Sequence, residues 1–276
     1  MSLTAAQKTE FAENGFLVLD RFVSESQCDQ LMAEISHLVD EYDPSSYPPA
    51  VFSSKDQAND QQKLTTEYFL DSGNKIAFFF EAGAFSDDGK LKQSKALSLA
   101  KIGHALHLLN PVFREFSDRY WFRALTQELG FIKPRLIQSM YIFKQPRIGG
   151  EVICHQDATF LYTEPVSAMG FWFALQESTR ENGCLYVLPG GHRIPLKRRF
   201  MRTPENNVKF EELDSSPWPQ DGFIPLEVKK GSMIVLHGLL PHLSGPNLSG
   251  SSRHAYTLHV IEADAHYPTN NWLKLG

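Results

Sequence analysis

The chain of 276 residues is 42% hydrophobic and 12% aromatic, which is enough apolar material to bury a large core. Its formal net charge of −5 gives no electrostatic reason to expect nucleic acid or an anionic membrane as a partner. Three cysteines without a short-range pairing pattern suit a reducing compartment. No stretch approaches the roughly 18 apolar residues of a membrane span, and no signal peptide opens the chain. We expect a cytoplasmic protein and take it to be a monomer.

The first 130 residues are predicted to be mainly helical. Thr4 with Gln7, and Ser24 with Gln27, are capping boxes that predict the starts of two helices. Gly15 predicts the end of the first helix, because glycine readily takes the left-handed conformation that ends helices. Apolar residues at helical spacing follow the second box, so the second helix should pack on another layer.

Two further helices, a strand and a loop are predicted in this part of the chain. The helices cover residues 94–109 and 111–129, and the proline between them ends the first one. The bulky run at residues 76–80 predicts a short core strand. Residues 44–62 are rich in Pro, Ser, Asp and Gln and predict a surface loop.

From Leu136 onward the pattern changes to strands punctuated by Gly and Pro, which is typical of a sandwich or jelly roll. The predicted strands cover residues 136–144, 151–157, 169–176, 184–188, 223–228, 232–237 and 253–261. The stretch at 203–222 is predicted to be an irregular insertion, either a substrate lid or an inert excursion. Just before it, the basic run Lys197-Arg198-Arg199 is interpreted as a solvated turn.

At the end of the second predicted strand, His155 and Asp157 are separated by one residue. In an extended strand such residues point to the same face, so an imidazole and a carboxylate can meet at one point. They would supply two ligands of the two-histidine, one-carboxylate triad that holds non-haem Fe(II). By itself the pair is weak evidence, because this spacing also occurs in exposed turns.

A candidate for the third ligand follows a glycine-bounded apolar strand at residues 231–238. His242 lies just beyond that strand, Ser244 two residues further on, and Arg253 eleven residues after the histidine. A guanidinium with a nearby hydroxyl is a natural receptor for a carboxylate. The combination of a His-x-Asp pair, a distant histidine, a serine and an arginine is far more specific than any of its parts.

These motifs resemble those of the phytanoyl-CoA dioxygenase family, and the resemblance extends over nearly the whole chain. Beyond the ligand-bearing segments it includes residues 14–19, 101–107, 138–146, 149–151, 160–165 and 181–185. It implies an α+β fold, in which a double-stranded β-helix, or jelly roll, carries the N-terminal helices packed on one sheet. A single domain would then span residues 1–276, with helical support in 1–130 and the β-helix core in 131–276.

The resemblance also implies a dioxygenase that uses Fe(II), 2-oxoglutarate and O2, with ascorbate as a stimulant. His155, Asp157 and His242 would hold the metal. The co-substrate would lie on these ligands and on Lys101, Met140, Trp172, Ser244 and Arg253. Decarboxylation of 2-oxoglutarate to succinate and CO2 would be coupled to hydroxylation of a second substrate, which the sequence does not identify.

Some of these positions also have simpler interpretations. Lys101 shares a face of the predicted helix at 94–109 with His104, and its side chain could reach water instead of the co-substrate. His104 is interpreted as a structural histidine near the substrate entrance rather than an acid or base. Met140 and Trp172 fit core packing as well, which is compatible with lining a pocket.

Two other functions stay open at this point. A protein that kept the metal and 2-oxoglutarate without turnover would act as a sensor. Two histidines and a carboxylate also suit Zn2+ in a hydrolase or isomerase, but Arg253 and Ser244 would then have no role.

The second substrate can be a small metabolite, an acyl derivative or a protein side chain, because fold and co-substrate site do not fix it. A CoA ester is less favoured on two grounds. The C-terminal Lys274-Leu275-Gly276 is not a peroxisomal signal, and no cluster of basic residues suits the CoA phosphates.

Overall fold

The computed structural model describes residues 2–44, 50–52 and 63–275. Its α-helices are α1 (Ala5–Asn14), α2 (Glu25–Glu41), α3 (Lys63–Asp71), α4 (Leu106–Leu109), α5 (Pro111–Ser117) and α6 (Tyr120–Glu128). Its strands are β1 (Phe16–Leu19), β2 (Val51–Phe52), β3 (Ile76–Glu81), β4 (Leu99–His104), β5 (Pro134–Ile142), β6 (Val152–His155), β7 (Met169–Ala174), β8 (Leu185–Val187), β9 (Arg198–Arg202), β10 (Val208–Glu212), β11 (Ile224–Leu226), β12 (Met233–His237), β13 (His242–Ser244) and β14 (Ala255–Glu262). In these parts of the chain the α-helices all precede Gly130, whereas strands occur throughout.

The strands form two main sheets. The larger has eight strands in the order β1-β12-β7-β14-β5-β4-β3-β2, and the smaller has four in the order β11-β8-β13-β6. Strands β9 and β10 form a separate hairpin. From β5 to β14 the chain passes repeatedly between the two main sheets, as in a double-stranded β-helix. The jelly roll expected from the sequence is therefore confirmed.

Alternation along the strands sorts side chains into two layers. In β7, Phe171 and Phe173 join the apolar cluster that includes the helices, whereas Trp172 joins the cluster between the sheets. In β12, Val235 faces the helices and Ile234 faces the smaller sheet. The two-residue period of an extended strand produces this sorting. Because the helices cover the outer face of the large sheet, its inner face is available for a cavity.

The capping boxes confirm the predicted starts of α1 and α2. The side chains of Thr4 and Ser24 each accept a hydrogen bond from the backbone N–H three residues on. α1 ends at Gly15, whose φ of 78° lies in the left-handed region. A Cβ at Gly15 would lie 2.4 Å from the His192 side chain, so the close approach of these segments requires glycine. α2 buries Leu31 in the helix-facing cluster.

The predicted helix at residues 94–109 is wrong. Its central part is β4, preceded by a 3-10 turn and followed by the four-residue α4. Every residue of β4 is buried, and a fully buried run has no periodicity that separates helix from strand. Pairing with β3 on one side and β5 on the other decides the conformation. The predicted helix at 111–129 is confirmed as two shorter helices, α5 and α6.

The interpretation of residues 197–199 as a solvated turn is also wrong. Lys197 is 7% exposed, and its Nζ donates to Asp214 Oδ2 at 2.6 Å. Arg198 and Arg199 begin β9, which pairs with β10. The predicted irregular insertion at 203–222 therefore contains a strand. The partners of the basic run come from β10 and from the segment just after it, and the charge pattern of the sequence does not reveal them.

The strands predicted at 76–80 and after Leu136 are confirmed with shifted boundaries, whereas β1, β2, β4, β9, β10 and β13 were not predicted. Most of the predicted loop at 44–62 lies outside the described residues. Among the residues that are described, no helix has the length and apolar character needed to cross a bilayer.

Candidate metal centre

A cavity of about 510 Å³ lies between the two sheets. This volume falls within the ~300–1,000 Å³ typical of small-molecule sites. The large sheet lines it with residues of β4, β5, β7 and β14, and the small sheet with residues of β6 and β13. The site residues expected from the sequence all border it: Lys101, Met140, His155, Asp157, Trp172, His242, Ser244 and Arg253.

His155, Asp157 and His242 converge on one point of the cavity wall. The two histidines are paired residues on the neighbouring strands β6 and β13, and their ring centroids are 4.2 Å apart. Asp157 Oδ1 lies 3.7 Å from the Nε2 atom of each histidine. One ligand atom from each residue lies within 4.8 Å of the others, a spacing that suits a single ion. Two imidazoles and one carboxylate are the donor set of non-haem Fe(II) sites.

Backbone carbonyls hold both imidazoles in the form that metal binding needs. Nδ1 of His155 donates to the carbonyl of Ile153 at 2.9 Å, and Nδ1 of His242 donates to that of Leu240 at 3.0 Å. With the proton on Nδ1, Nε2 keeps its lone pair, and this atom is the one directed at Asp157. Burial and the neighbouring His242 lower the pKa of His155 to about 4, so its imidazole is neutral at pH 7.

Asp157 is held as a carboxylate. Burial alone would raise its pKa, but His242, His259 and His155 around it hold the pKa well below its usual range. His259 Nε2 lies 3.4 Å from Oδ2, the oxygen turned away from the two paired histidines. Gly170 makes room for this contact, because a Cβ there would lie 2.9 Å from Asp157 Oδ2.

Arg253 borders the same cavity and is only 2% exposed. Its Nη2 donates to Ser244 Oγ at 3.4 Å, and that hydroxyl donates in turn to the carbonyl of Gly183 at 3.0 Å. Nε and Nη1 have no hydrogen-bond partner among the described residues. Burial lowers the pKa of Arg253 to about 10, which still leaves it charged at pH 7. A buried cation with free N–H groups is a strong receptor for an anion.

Lys101 reaches the cavity from a strand and not from the predicted helix. Its Nζ lies 5.0 Å from the centre of the Phe79 ring and 5.7 Å from that of Phe69. Burial lowers the pKa of Lys101 to about 7. Since Lys101 is only 7% exposed, its side chain lies in the cavity and not in bulk water.

His104 also borders the cavity, as expected of a histidine near the substrate entrance. Ser72 Oγ donates its only hydrogen to the carbonyl of Phe69 at 2.6 Å. The hydroxyl oxygen must therefore accept the hydrogen bond from His104 Nδ1, which lies 2.8 Å away. Burial, with Lys101 nearby, holds the pKa of His104 well below its usual range. The imidazole is neutral, with its proton on Nδ1 and a lone pair on Nε2.

Comparison with known proteins identifies the family. A sequence model described as "Phytanoyl-CoA dioxygenase (PhyH)" matches residues 11–255. The chain belongs to the phytanoyl-CoA dioxygenase family. "Phytanoyl-CoA dioxygenase" of Arabidopsis thaliana is 46% identical over 274 residues, which covers 99% of this chain and 94% of that protein. "Phytanoyl-CoA dioxygenase domain-containing protein 1" of Bos taurus is 42% identical over 276 residues, which covers 99% of this chain and 95% of that protein.

Solved structures of similar fold include two relevant complexes. EvdO2 from Micromonospora carbonacea var. aurantiaca, complexed with 2-oxoglutarate, has a TM-score of 0.60 at 19% identity and covers 100% of this chain and 98% of its own. The epimerase SnoN, in complex with Fe3+, alpha ketoglutarate and nogalamycin RO, has a TM-score of 0.64 at 15% identity, and the match covers 96% of this chain and 86% of SnoN. At these identities the likeness concerns the fold, and it agrees with the jelly roll of the phytanoyl-CoA dioxygenase family.

Sequence analysis missed three side chains that border the site, those of His259, Thr257 and Lys144. His259 contacts Asp157, and Thr257 lies beside it on β14. Both stand at even spacing from Arg253, so the alternation of a strand could have placed them in the cavity. Lys144 also lines the cavity, where its Nζ donates to the carbonyl of Gly150 at 2.6 Å. No local pattern marks Lys144, because its partner comes from a tight loop.

Proposed function

We propose that the protein is an Fe(II)- and 2-oxoglutarate-dependent dioxygenase that hydroxylates a second substrate. One observation carries this proposal: a pair of histidines and a carboxylate share a cavity with a buried guanidinium, two of whose nitrogens, Nε and Nη1, have no hydrogen-bond partner among the described residues. Membership of a dioxygenase family supports it. The complexes of EvdO2 with 2-oxoglutarate and of SnoN with Fe3+ and alpha ketoglutarate support the choice of metal and co-substrate.

The residues of the cavity fit both groups. His155, Asp157 and His242 present two imidazole nitrogen donors and one anionic oxygen donor, as an Fe(II) site requires. Arg253 would receive the carboxylate of 2-oxoglutarate that lies away from the metal. When bound, the iron supplies the activation of O2 that oxidation of an unactivated C–H bond needs.

The overall reaction balances without another reductant. The C–C bond beside the oxo group of 2-oxoglutarate breaks, and its carboxylate leaves as CO2. One atom of O2 enters the new carboxylate of succinate, and the other enters the hydroxyl group of the product. The protein's own side chains therefore need to position the two substrates and exclude water, and no nucleophile is required.

Arg253 gives the co-substrate a direction. Its planar guanidinium can make two parallel hydrogen bonds to one carboxylate of a diacid. The other carboxylate must then point toward the histidines. Trp172 is 4% exposed and its ring lies 5.2 Å from the Arg253 guanidinium carbon. It excludes water from that end of the cavity, which strengthens the charge-assisted bonds. Lys101 and Met140 would complete the lining of the co-substrate site.

Release of succinate tests the proposal. Purified protein supplied with Fe(II), ascorbate and 2-oxoglutarate should form succinate slowly without a second substrate and faster with one. A His155→Ala variant should fall to the background rate, because it loses one metal ligand. Binding of 2-oxoglutarate without any succinate above this variant would instead favour a sensor. Activity with Zn2+ and none with Fe(II) would favour a hydrolase or isomerase.

We also propose that the protein works in the cytoplasm as a monomer and does not act on nucleic acid. Cys28, Cys154 and Cys184 are free thiols, which suits a reducing compartment. The net charge of −5 supports the absence of a polyanionic partner. Size-exclusion chromatography with light scattering would test the oligomeric state directly.

A further inference from the structure

The β9–β10 hairpin brings a second guanidinium to the cavity wall. Arg198 borders the cavity and is half-buried, and its Cζ lies 4.0 Å from the centre of the Phe210 ring. Its cross-strand neighbour Glu212 is exposed to solvent, and its charge attracts the guanidinium without coming within ion-pair distance. Within residues 2–44, 50–52 and 63–275, the Arg198 guanidinium makes no hydrogen bond and no ion pair. Its N–H donors are therefore available to a ligand.

The cations on either side of Arg198 are already engaged. Lys197 Nζ donates to Asp214 Oδ2 at 2.6 Å. Arg199 lies on the other face of the strand, where Nη1 is 3.5 Å from Glu211 Oε2 and Cζ is 3.9 Å from the centre of the Tyr162 ring. Three consecutive basic residues therefore offer the cavity a single uncommitted cation.

An aromatic surface connects this cation to the metal ligands. Phe160 follows the ligand-bearing turn, and its ring centroid is 6.1 Å from that of His155 and 6.3 Å from that of Phe210. Phe200 packs between them, with its ring centroid 5.5 Å from that of Phe160 and 5.0 Å from that of Phe210. Two rings thus separate the Arg198 guanidinium from a ligand histidine. Of these rings Phe160 borders the cavity, so a molecule held by Arg198 would lie across Phe160 with its other end toward His155.

We propose that the second substrate is a small carboxylic acid with an apolar body, and that Arg198 binds its carboxylate. This inference rests on the proposed dioxygenase function. A guanidinium stacked on an aromatic ring keeps its donor edge free and matches a planar carboxylate with two parallel hydrogen bonds. The ring of Phe160, which borders the cavity, takes the apolar body and leaves a C–H bond near the metal ligands. Phe210 supports the Arg198 guanidinium from behind. One uncommitted cation suits one negative charge and not the several charges of a polyphosphate.

Arg198 is on this account a specificity-determining residue. It touches the substrate far from the bond that reacts, so its loss should weaken binding of acids without changing the metal site or the binding of 2-oxoglutarate. The same loss should leave binding of an uncharged analogue unaffected, because the aromatic surface remains. These two expectations separate a role in recognition from a role in folding.

Binding of matched acid and amide probes tests the inference. Decanoate, 3-phenylpropanoate and indole-3-acetate are each titrated beside their primary amides into protein loaded with Mn(II) and saturated with 2-oxoglutarate, which occupies Arg253. In the wild type at least one acid should bind more tightly than its amide by about tenfold or more, because a hydrogen-bonded charge pair forms. Arg198→Gln should abolish this preference and leave amide binding unchanged. Arg198→Lys should retain part of it.

Lys209→Gln is the matched control, because it removes one positive charge from an exposed position of the same hairpin. It should preserve the preference for acids. A preference for acids that survives Arg198→Gln, or its absence in the wild type, overturns the inference. If 2-oxoglutarate binds normally in the same samples, either result leaves the dioxygenase function standing. Failure of 2-oxoglutarate to bind the Mn(II)-loaded wild type would overturn both.

Discussion

Two backbone carbonyls determine which tautomer the two histidines of the candidate metal centre adopt. His155 and His242 each donate Nδ1–H to the carbonyl two residues earlier in the chain. The strand that carries each histidine therefore also fixes its tautomer, and no further side chain is needed for it. Asp157 depends on more distant support, since His259 and Gly170 come from other strands.

Gly170→Ala should weaken metal binding. Its Cβ would meet Asp157 Oδ2 at 2.9 Å and His259 Nε2 at 3.4 Å, so the carboxylate must move. Displacing a supported ligand typically costs about 10- to 100-fold in metal affinity, and calorimetric titration with Mn(II) would measure it. Gly250→Ala is the control, because a Cβ at that position meets nothing within 4 Å. Equal affinity in the Gly170 variant and the wild type would contradict the described contact.

Lys101 should make stability depend on pH. Its pKa is about 7 in the folded protein against the ordinary lysine value of 10.5, so the unfolded chain binds the extra proton between these values. Stability of the ligand-free protein should therefore rise with pH above 7, with a slope from this residue approaching about 1.4 kcal/mol per pH unit. Urea unfolding at pH 7.0, 7.75 and 8.5 should show a smaller rise for Lys101→Met. An unchanged slope would place Lys101 in contact with water.

Among the elements, β14 shows how a strand assigns different tasks to its two faces. Arg253, just before the strand, and Thr257 and His259 within it face the cavity, whereas Tyr256 and Leu258 pack in the helix-facing cluster. The same segment thus supplies the residue proposed to receive the anion, Arg253 just before the strand, and the histidine that contacts Asp157. The rigid pairing with β5 and β7 holds both groups in place.

Loss of the α2 cap should reduce stability and leave the site intact. Ser24 Oγ accepts the N–H of Gln27 at 3.2 Å, and Ser24→Ala should cost about 1 kcal/mol of unfolding free energy in urea titrations. Ser36→Ala in the same helix is the control, because Ser36 is exposed and only returns a hydrogen bond to the carbonyl of Met32. Both variants should bind 2-oxoglutarate as the wild type does. Equal losses at the two positions would contradict a specific role of the cap.

Local signals determined how much of the fold could be predicted. The capping boxes of α1 and α2 and the glycine-bounded run of β12 are complete within a few residues, and all three elements were found. β4 was taken for a helix because its conformation depends on pairing with β3 and β5. The β9–β10 hairpin was missed because β10, the strand that pairs with β9, lies in a stretch rich in Pro and Asn, a composition that predicts irregular structure.

In the whole molecule, the division between outer and inner faces of the large sheet separates stability from chemistry. The helices and the outer face form the largest apolar cluster, while the polar groups collect between the sheets. His155, Asp157, His242 and Arg253 could be proposed as site residues from the sequence because their combined spacing resembles the motifs of a known family. Arg198 could not, since only the folded hairpin shows that it faces the cavity while its neighbours are engaged elsewhere.

Titration of 2-oxoglutarate into Fe(II)-loaded protein without oxygen tests the central claim most directly, because it asks whether the metal ligands and Arg253 form one site. The wild type should bind 2-oxoglutarate, and Asp157→Ala should bind neither metal nor co-substrate. Arg253→Ala should keep its metal and lose affinity for 2-oxoglutarate by on the order of 10²-fold, because a buried charge pair is lost. Equal affinity for 2-oxoglutarate in the wild type and Arg253→Ala would contradict the account.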